Sequence, residues 1–117
     1  MRRKRMVIQI LGASSPGVMG SVKVLARYLT RDPLIRRMWM ERNHEDDLVN
    51  LHLESVDPVN IWHRLKIYFH RVPGIQRELS SHWIVICEGE SGWQDYHVLA
   101  HVDRRVRIDS VQRATSA

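Results

Sequence analysis

Cysteine is nearly absent from this chain: Cys87 is the only one among 117 residues. An intrachain disulfide is excluded, and a lone cysteine inside an apolar run reads as a small buried residue of a protein in a reducing cytosol. Long apolar runs are missing as well. None approaches the roughly 20 residues that cross a bilayer as a helix, so no membrane-spanning segment and a cytoplasmic location are expected. The basic residues 2–5 lead into a short apolar run with no small-residue cleavage site, so no signal peptide is expected. No internal repeat, low-complexity tract or linker divides the sequence. No Gly-Lys-Ser/Thr follows a glycine-rich loop, and there is no Cys pair or His-Glu-x-x-His for zinc. The RNA-recognition pattern of a basic residue, Gly-aromatic-Gly and further aromatics on one strand is missing too.

What is present describes one ordinary domain. Its apolar fraction of 44% and charged fraction of 26% are typical of soluble globular proteins, and the length suffices for a core without disulfides. The net charge of +5 is unevenly placed. Arg2, Arg3, Lys4 and Arg5 open the chain, and Arg104, Arg105, Arg107 and Arg113 lie near the other end. The expected organisation is a basic arm over residues 1–5, a single α+β domain over 6–103 and a basic tail over 104–117.

Along the chain, Met6, Ile8 and Ile10 place one apolar face on a first strand. The period then changes, with Val18, Val22, Leu25 and Leu29 at helical spacing. Ser14 or Ser15 can cap that helix, Pro16 fits its first turn, and Asp32-Pro33 stops it. Residues 34–42 read as a strand, and the polar turn 43–47 follows. Val49, Leu51 and Leu53 then alternate with Asn50, His52 and Glu54, which completes a hairpin. Asp57 caps a second helix with Pro58 as its first residue. The helix's apolar stripe is Ile61, Leu65, Tyr68 or Phe69, and Val72, and Pro73-Gly74 ends it. Residues 83–87 form an apolar, β-branched strand. Tyr96, Val98, Ala100 and Val102 suggest one more strand, with a helix over 93–102 as the competing reading. The fold class is α+β: a ferredoxin-like β-α-β-β-α-β sandwich with an appended C-terminal strand or hairpin.

The feature closest to chemistry is the turn Gly12-Ala-Ser-Ser-Pro-Gly-Val-Met-Gly20, set between strand and helix. Glycine admits close approach to the backbone, and a helix N-terminus favours negative charge. The spacing of Gly12, Gly17 and Gly20 excludes the dinucleotide fingerprint, and no acid follows at the distance that fingerprint needs. The segment from Ser15 to Gly20, followed by Val22, Leu25 and Ala26, resembles the first loop and helix of ACT domains, the ligand-binding regulatory modules found in acetolactate synthase small subunits. The hairpin and the second helix ending in Val72-Pro73-Gly74-Ile75 resemble the second half of that family, so the likeness covers residues 6–88. It implies a regulatory module that binds an amino acid or other small anionic ligand at a homodimer interface. The ligand-binding residues carried over are Ser14, Ser15, Pro16, Gly17, Val18 and Met19. Ser14 and Ser15 stand where the family often has Asp or Asn.

Other constellations point less far. His97 and His101 are four apart and share a face; His63 and His70 share one side of the second helix. Convergence of three or four ligands is not indicated, so no metal and no cofactor is expected. Trp39, Trp62, Trp83 and Trp93 serve core or interface packing. Cys87 lies in an apolar strand, and Glu45, Asp46 and Asp47 form a solvated turn. No catalytic constellation emerges, and the chain is not read as an enzyme. The alternative function is nucleic-acid binding through Arg2, Arg3, Lys4, Arg5, Arg104, Arg105 and Arg107, the phosphate backbone being the partner.

Overall fold

Alternating apolar residues give this chain strands with one dry face, and two proline-initiated helices close over that face. The computed structural model describes residues 2–109. The elements are β1 (Lys4–Leu11), α1 (Pro16–Thr30), β2 (Arg37–Asn43), β3 (Leu48–Ser55), α2 (Pro58–Arg71), α3 (Pro73–Ser80), β4 (Trp83–Gly89) and β5 (Gly92–His101). The strands form one antiparallel sheet in the order β2-β3-β1-β4-β5. The molecule is thus α+β, with a five-stranded antiparallel sheet and three helices among the described residues.

Register makes the core. Met6 pairs with Leu53 on one side and Cys87 on the other, and Ile8 pairs with Leu51 and Val85. These residues are at most 1% exposed. Onto them pack Val22, Leu25 and Leu29 from α1, Leu65 and Phe69 from α2, and Leu79 from α3, all in one cluster. Trp83 lies 5.5 Å from both Trp62 and Phe69, centroid to centroid, an aromatic seam under α2. On the opposite sheet face Val7, Gln9, Asn50, His52, Ile84 and Ile86 remain half-buried.

Both long helices start as their sequences require. Ser15 caps α1 by accepting from the Val18 N–H, with Pro16 as the first helical residue. The Asp57 side chain accepts from the Asn60 N–H at 3.2 Å, with Pro58 following. Three expectations need adjustment. β2 begins at Arg37 rather than at residue 34, because the Asp32 carboxylate accepts from the Leu34 N–H at 2.9 Å and holds that stretch in a turn. The buried stripe of α2 contains Trp62 and Phe69 and not Val72, which is the non-helical residue ending the helix. Pro73-Gly74 ends α2 and also starts α3, a helix the sequence reading did not anticipate; Pro73 occupies its first turn. The segment after Gly92 is the expected additional strand, and the competing helix does not form.

A bulge in β5 has a further effect. His97 pairs with Cys87, whereas His101 pairs with Ile84, with a register shift between Val85 and Ile86. One inserted residue exchanges the faces of everything beyond it. His97 therefore lies on the helix-covered side and His101 on the open side, so the two do not share a face. Gly89 is required where β4 meets its hairpin, because the Asp95 backbone carbonyl occupies the place a Cβ would take.

Candidate functional site

At the turn after β1, the donors of Gly12, Ala13 and Ser14 are already engaged by Asp47. The Asp47 carboxylate accepts from the Ser14 N–H and from the Ser14 hydroxyl, each at 2.8 Å. Its backbone carbonyl accepts from the N–H groups of Gly12 and Ala13. Arg42 ties the arrangement together, donating to the Ala13 carbonyl at 3.2 Å and lying 3.5 Å from Asp47. Glu78 of α3 stands over the next residues: a Cβ on Gly17 would be 3.1 Å from its Oε1. Two of the chain's own carboxylates thus meet the positive end of the α1 dipole. Of the residues expected to bind ligand, Ser14, Ser15, Pro16 and Gly17 are exposed, Met19 is half-buried, and Val18 is buried in the core.

The basic residues of the two termini are not brought together. Lys4 and Arg5 belong to β1 rather than to an arm. Arg2 pairs with Glu88 at 3.0 Å and Lys4 with Glu90 at 3.1 Å. Arg3, Arg5 and Arg37 all approach one carboxylate, Glu54, at 3.9 to 4.0 Å. Arg5 and Arg37 also lie over the Trp39 ring, 5.5 and 4.5 Å from its centroid. Arg104, Arg105 and Arg107 follow β5, whose last residue pairs with the opening of β4, the sheet end opposite to the start of β1. Arg105 is held by Asp103 at 3.0 Å, and this contact keeps the Asp103 carboxyl below its ordinary range. Arg113 and the rest of the basic tail from residue 110 lie outside the described residues.

Among the remaining candidates, Cys87 is fully buried and burial pushes its thiol up to about 11. Asp109 and Glu88 add to that rise and Lys4 opposes it. A thiol held neutral is a poor nucleophile. Among the described residues no group of three His, Cys, Asp or Glu side chains is placed to hold a metal ion.

Another candidate lies elsewhere, on the outer surface between α1 and α2. Tyr28 of α1 and Tyr68 of α2 stack with centroids 3.9 Å apart and planes 13° from parallel. On one side of this pair a cleft of about 300 Å³ is bordered by Arg31, Asp32, Arg64, Ile67 and Arg71. On the other, a cleft of about 320 Å³ is bordered by Val24, Arg27 and Arg31. Asp32 is the single acid bordering either cleft, and it is committed. Its side chain is 5% exposed, bound to Arg64 at 2.7 Å and to the Leu34 N–H. Arg27, Arg31 and Arg71 have no ion-pair partner among the described residues. The surface around the tyrosine pair therefore carries a surplus of three positive charges, beside the exposed apolar side chains of Ile67 and Val24.

Sequence reasoning missed this cleft, although part of its signal was present. Arg64, Tyr68 and Arg71 recur at helical spacing on α2, as do Arg27 and Arg31 across the end of α1. Nothing local indicates that these two stripes meet. No protein-family model, curated protein or solved structure matches the chain. Among the described residues no helix is long and apolar enough to cross a membrane.

Proposed function

We propose that this chain is a regulatory or ligand-binding module that holds a small anionic molecule in the cleft between α1 and α2. The observation that carries the reading is the convergence of Arg31 and Arg71, both without acidic partners, on a cleft floored by stacked tyrosines, with Arg27 on the far side of the same pair. Guanidinium groups are weakly hydrated and fork-shaped, so they bind carboxylates and phosphates with geometric definition. At about 1–1.5 kcal/mol for each charge-assisted contact, two contacts correspond to a Kd from roughly 6 to 30 mM.

The strand order β4-β1-β3-β2 supports reading the core of the fold as a ferredoxin-like sandwich, with β5 appended and α3 inserted. The ACT-like turn supports the same class of function, effector binding without catalysis. The homodimer that this resemblance implies belongs to the proposal, and sedimentation equilibrium tests it. The cleft is favoured over the turn because Asp47 already engages the turn's Gly12, Ala13 and Ser14 donors.

An NMR titration with citrate at constant ionic strength tests the site. Resonances of Arg31 and Arg71 should move together and saturate. Movement confined to residues 14–19 would place binding at the turn instead and refute the assignment to the cleft.

A second reading rests on the open sheet face. Arg3, Arg5 and Arg37 share one carboxylate, and Arg5 and Arg37 also lie over Trp39, which stacks on His52, a combination of cations and aromatic rings suited to nucleic acid. On this reading an oligonucleotide binds with a steep salt dependence, and Arg37→Gln with Trp39→Ala removes that binding. Salt-independent retention would rule it out.

A further inference from the structure

The cleft bordered by Ile67 between α1 and α2 has several donors for an anion and no free carboxylate for an amine. Its three arginines, Arg31, Arg64 and Arg71, face a single acid, Asp32. That carboxylate is 5% exposed, with one oxygen engaged by both Arg64 and the Leu34 N–H. A zwitterionic amino acid seated here would gain for its carboxylate and lose for its ammonium, which would stand among like charges with no carboxylate to receive it. An amine-free anion meets no such penalty. The two partnerless arginines approach from two helices, Arg31 from the end of α1 and Arg71 from the end of α2. A phosphoryl dianion offers three acceptor oxygens and up to two charges to such a set, and guanidinium forks address it in pairs.

The apolar part of the wall defines the rest of the ligand. Ile67 is 58% exposed and Val24 38%, and each lies beside the Tyr28–Tyr68 stack. Exposed side chains of this kind next to an anion site accept a hydrophobic or aromatic body. We infer that the ligand is a phosphomonoester carrying an aromatic or apolar group, and not a free amino acid. This inference rests on the anion-binding reading of the cleft and narrows it to one chemical class.

The test compares inorganic phosphate, phenyl phosphate, phenylsuccinate, phenylalanine and glutamate at fixed ionic strength by NMR titration. The proteins are the full chain and its Arg31→Gln/Arg71→Gln variant. Both arginines are exposed and lack ion pairs among the described residues, so the variant should keep its fold, as its spectrum will report. Phenyl phosphate should bind at least 10-fold more tightly than phenylalanine or glutamate, and at least 5-fold more tightly than inorganic phosphate. The double variant should weaken phenyl phosphate by at least 10-fold. Phenylalanine or glutamate equalling phenyl phosphate overturns the inference and leaves the anion site standing. Phenylsuccinate equalling phenyl phosphate overturns the phosphoryl preference. Phenyl phosphate no tighter than inorganic phosphate overturns the apolar body. Absence of binding by every probe, or binding untouched by the double variant, overturns both this inference and the reading beneath it.

Discussion

Asp47 offers a sharp test of how the strand-to-helix turn is held. Its carboxylate accepts two short hydrogen bonds from Ser14, and its backbone lies at φ +49°, the left-handed region that side-chain-bearing residues rarely adopt. Replacement therefore changes two quantities of opposite sign. Losing hydrogen bonds to a charged acceptor costs about 1.5–3 kcal/mol when they are shielded. Here the side chain is 43% exposed, so about 1.5–2 kcal/mol for the pair is the appropriate scale. Left-handed backbone penalises alanine by about 1 kcal/mol relative to glycine, with Asp and Asn between them. Asp47→Ala should thus lose about 2–3 kcal/mol, Asp47→Gly about 1–1.5 kcal/mol, and Asp47→Asn, which keeps an acceptor, less than about 1 kcal/mol.

Urea unfolding followed by tryptophan fluorescence reads this series, since Trp62 and Trp83 sit in the core. With a slope of about 1–3 kcal/mol/M, the alanine variant's midpoint should fall by about 1–2 M. Equal losses for Gly and Ala would show that the positive φ carries no weight, and a harmless Ala would dismiss the hydrogen bonds. Added formate should restore stability to Asp47→Gly and not to the unaltered chain, because only the variant leaves the Ser14 donors open. No difference between the two would refute the view that Asp47 fills an anion-binding turn.

Two further outcomes follow from the core and the β4–β5 hairpin. Gly89→Ala should lose about 2–4 kcal/mol or register between β4 and β5, because its Cβ would meet the Asp95 carbonyl; thermal unfolding and amide exchange in β5 measure this. The Cys87 thiol titrates near 11 when folded, against an ordinary 9.0. Its contribution is therefore complete below pH 9 and shrinks as pH rises toward 11, where the unfolded chain sheds its proton first. Alkylation at pH 8 should wait on unfolding, and prompt modification of native protein would contradict the buried placement.

How the chain came to be legible in parts follows from the range of the forces involved. The alternation of Val49, Leu51 and Leu53 and the pairs Ser15-Pro16 and Asp57-Pro58 are local signals, and they were enough for the strands and both helix starts. α3 escaped because Pro73-Gly74 is equally good at ending one helix and beginning another. The bulge in β5 escaped because one inserted residue leaves no compositional mark, yet it separates His97 from His101. At the functional level, the anion-binding character of the turn could be read from its glycines and its helix start. Its occupation by Asp47 could not, since that residue lies 33 positions from Ser14.

By itself, then, the sequence determined the α+β class of fold, the dry faces of β1 and β3 and the caps of its two long helices. All three depend on residues within a few positions of one another. Only the tertiary structure decided where charge accumulates unpaired. Glu54, Glu88 and Glu90 draw off most of the N-terminal cations, Asp47 and Glu78 close the α1 N-terminus, and Asp32 turns inward to Arg64. The surplus left at Arg27, Arg31 and Arg71 is a sum over partners far apart in the chain, so it becomes visible only when α1 and α2 are laid against each other.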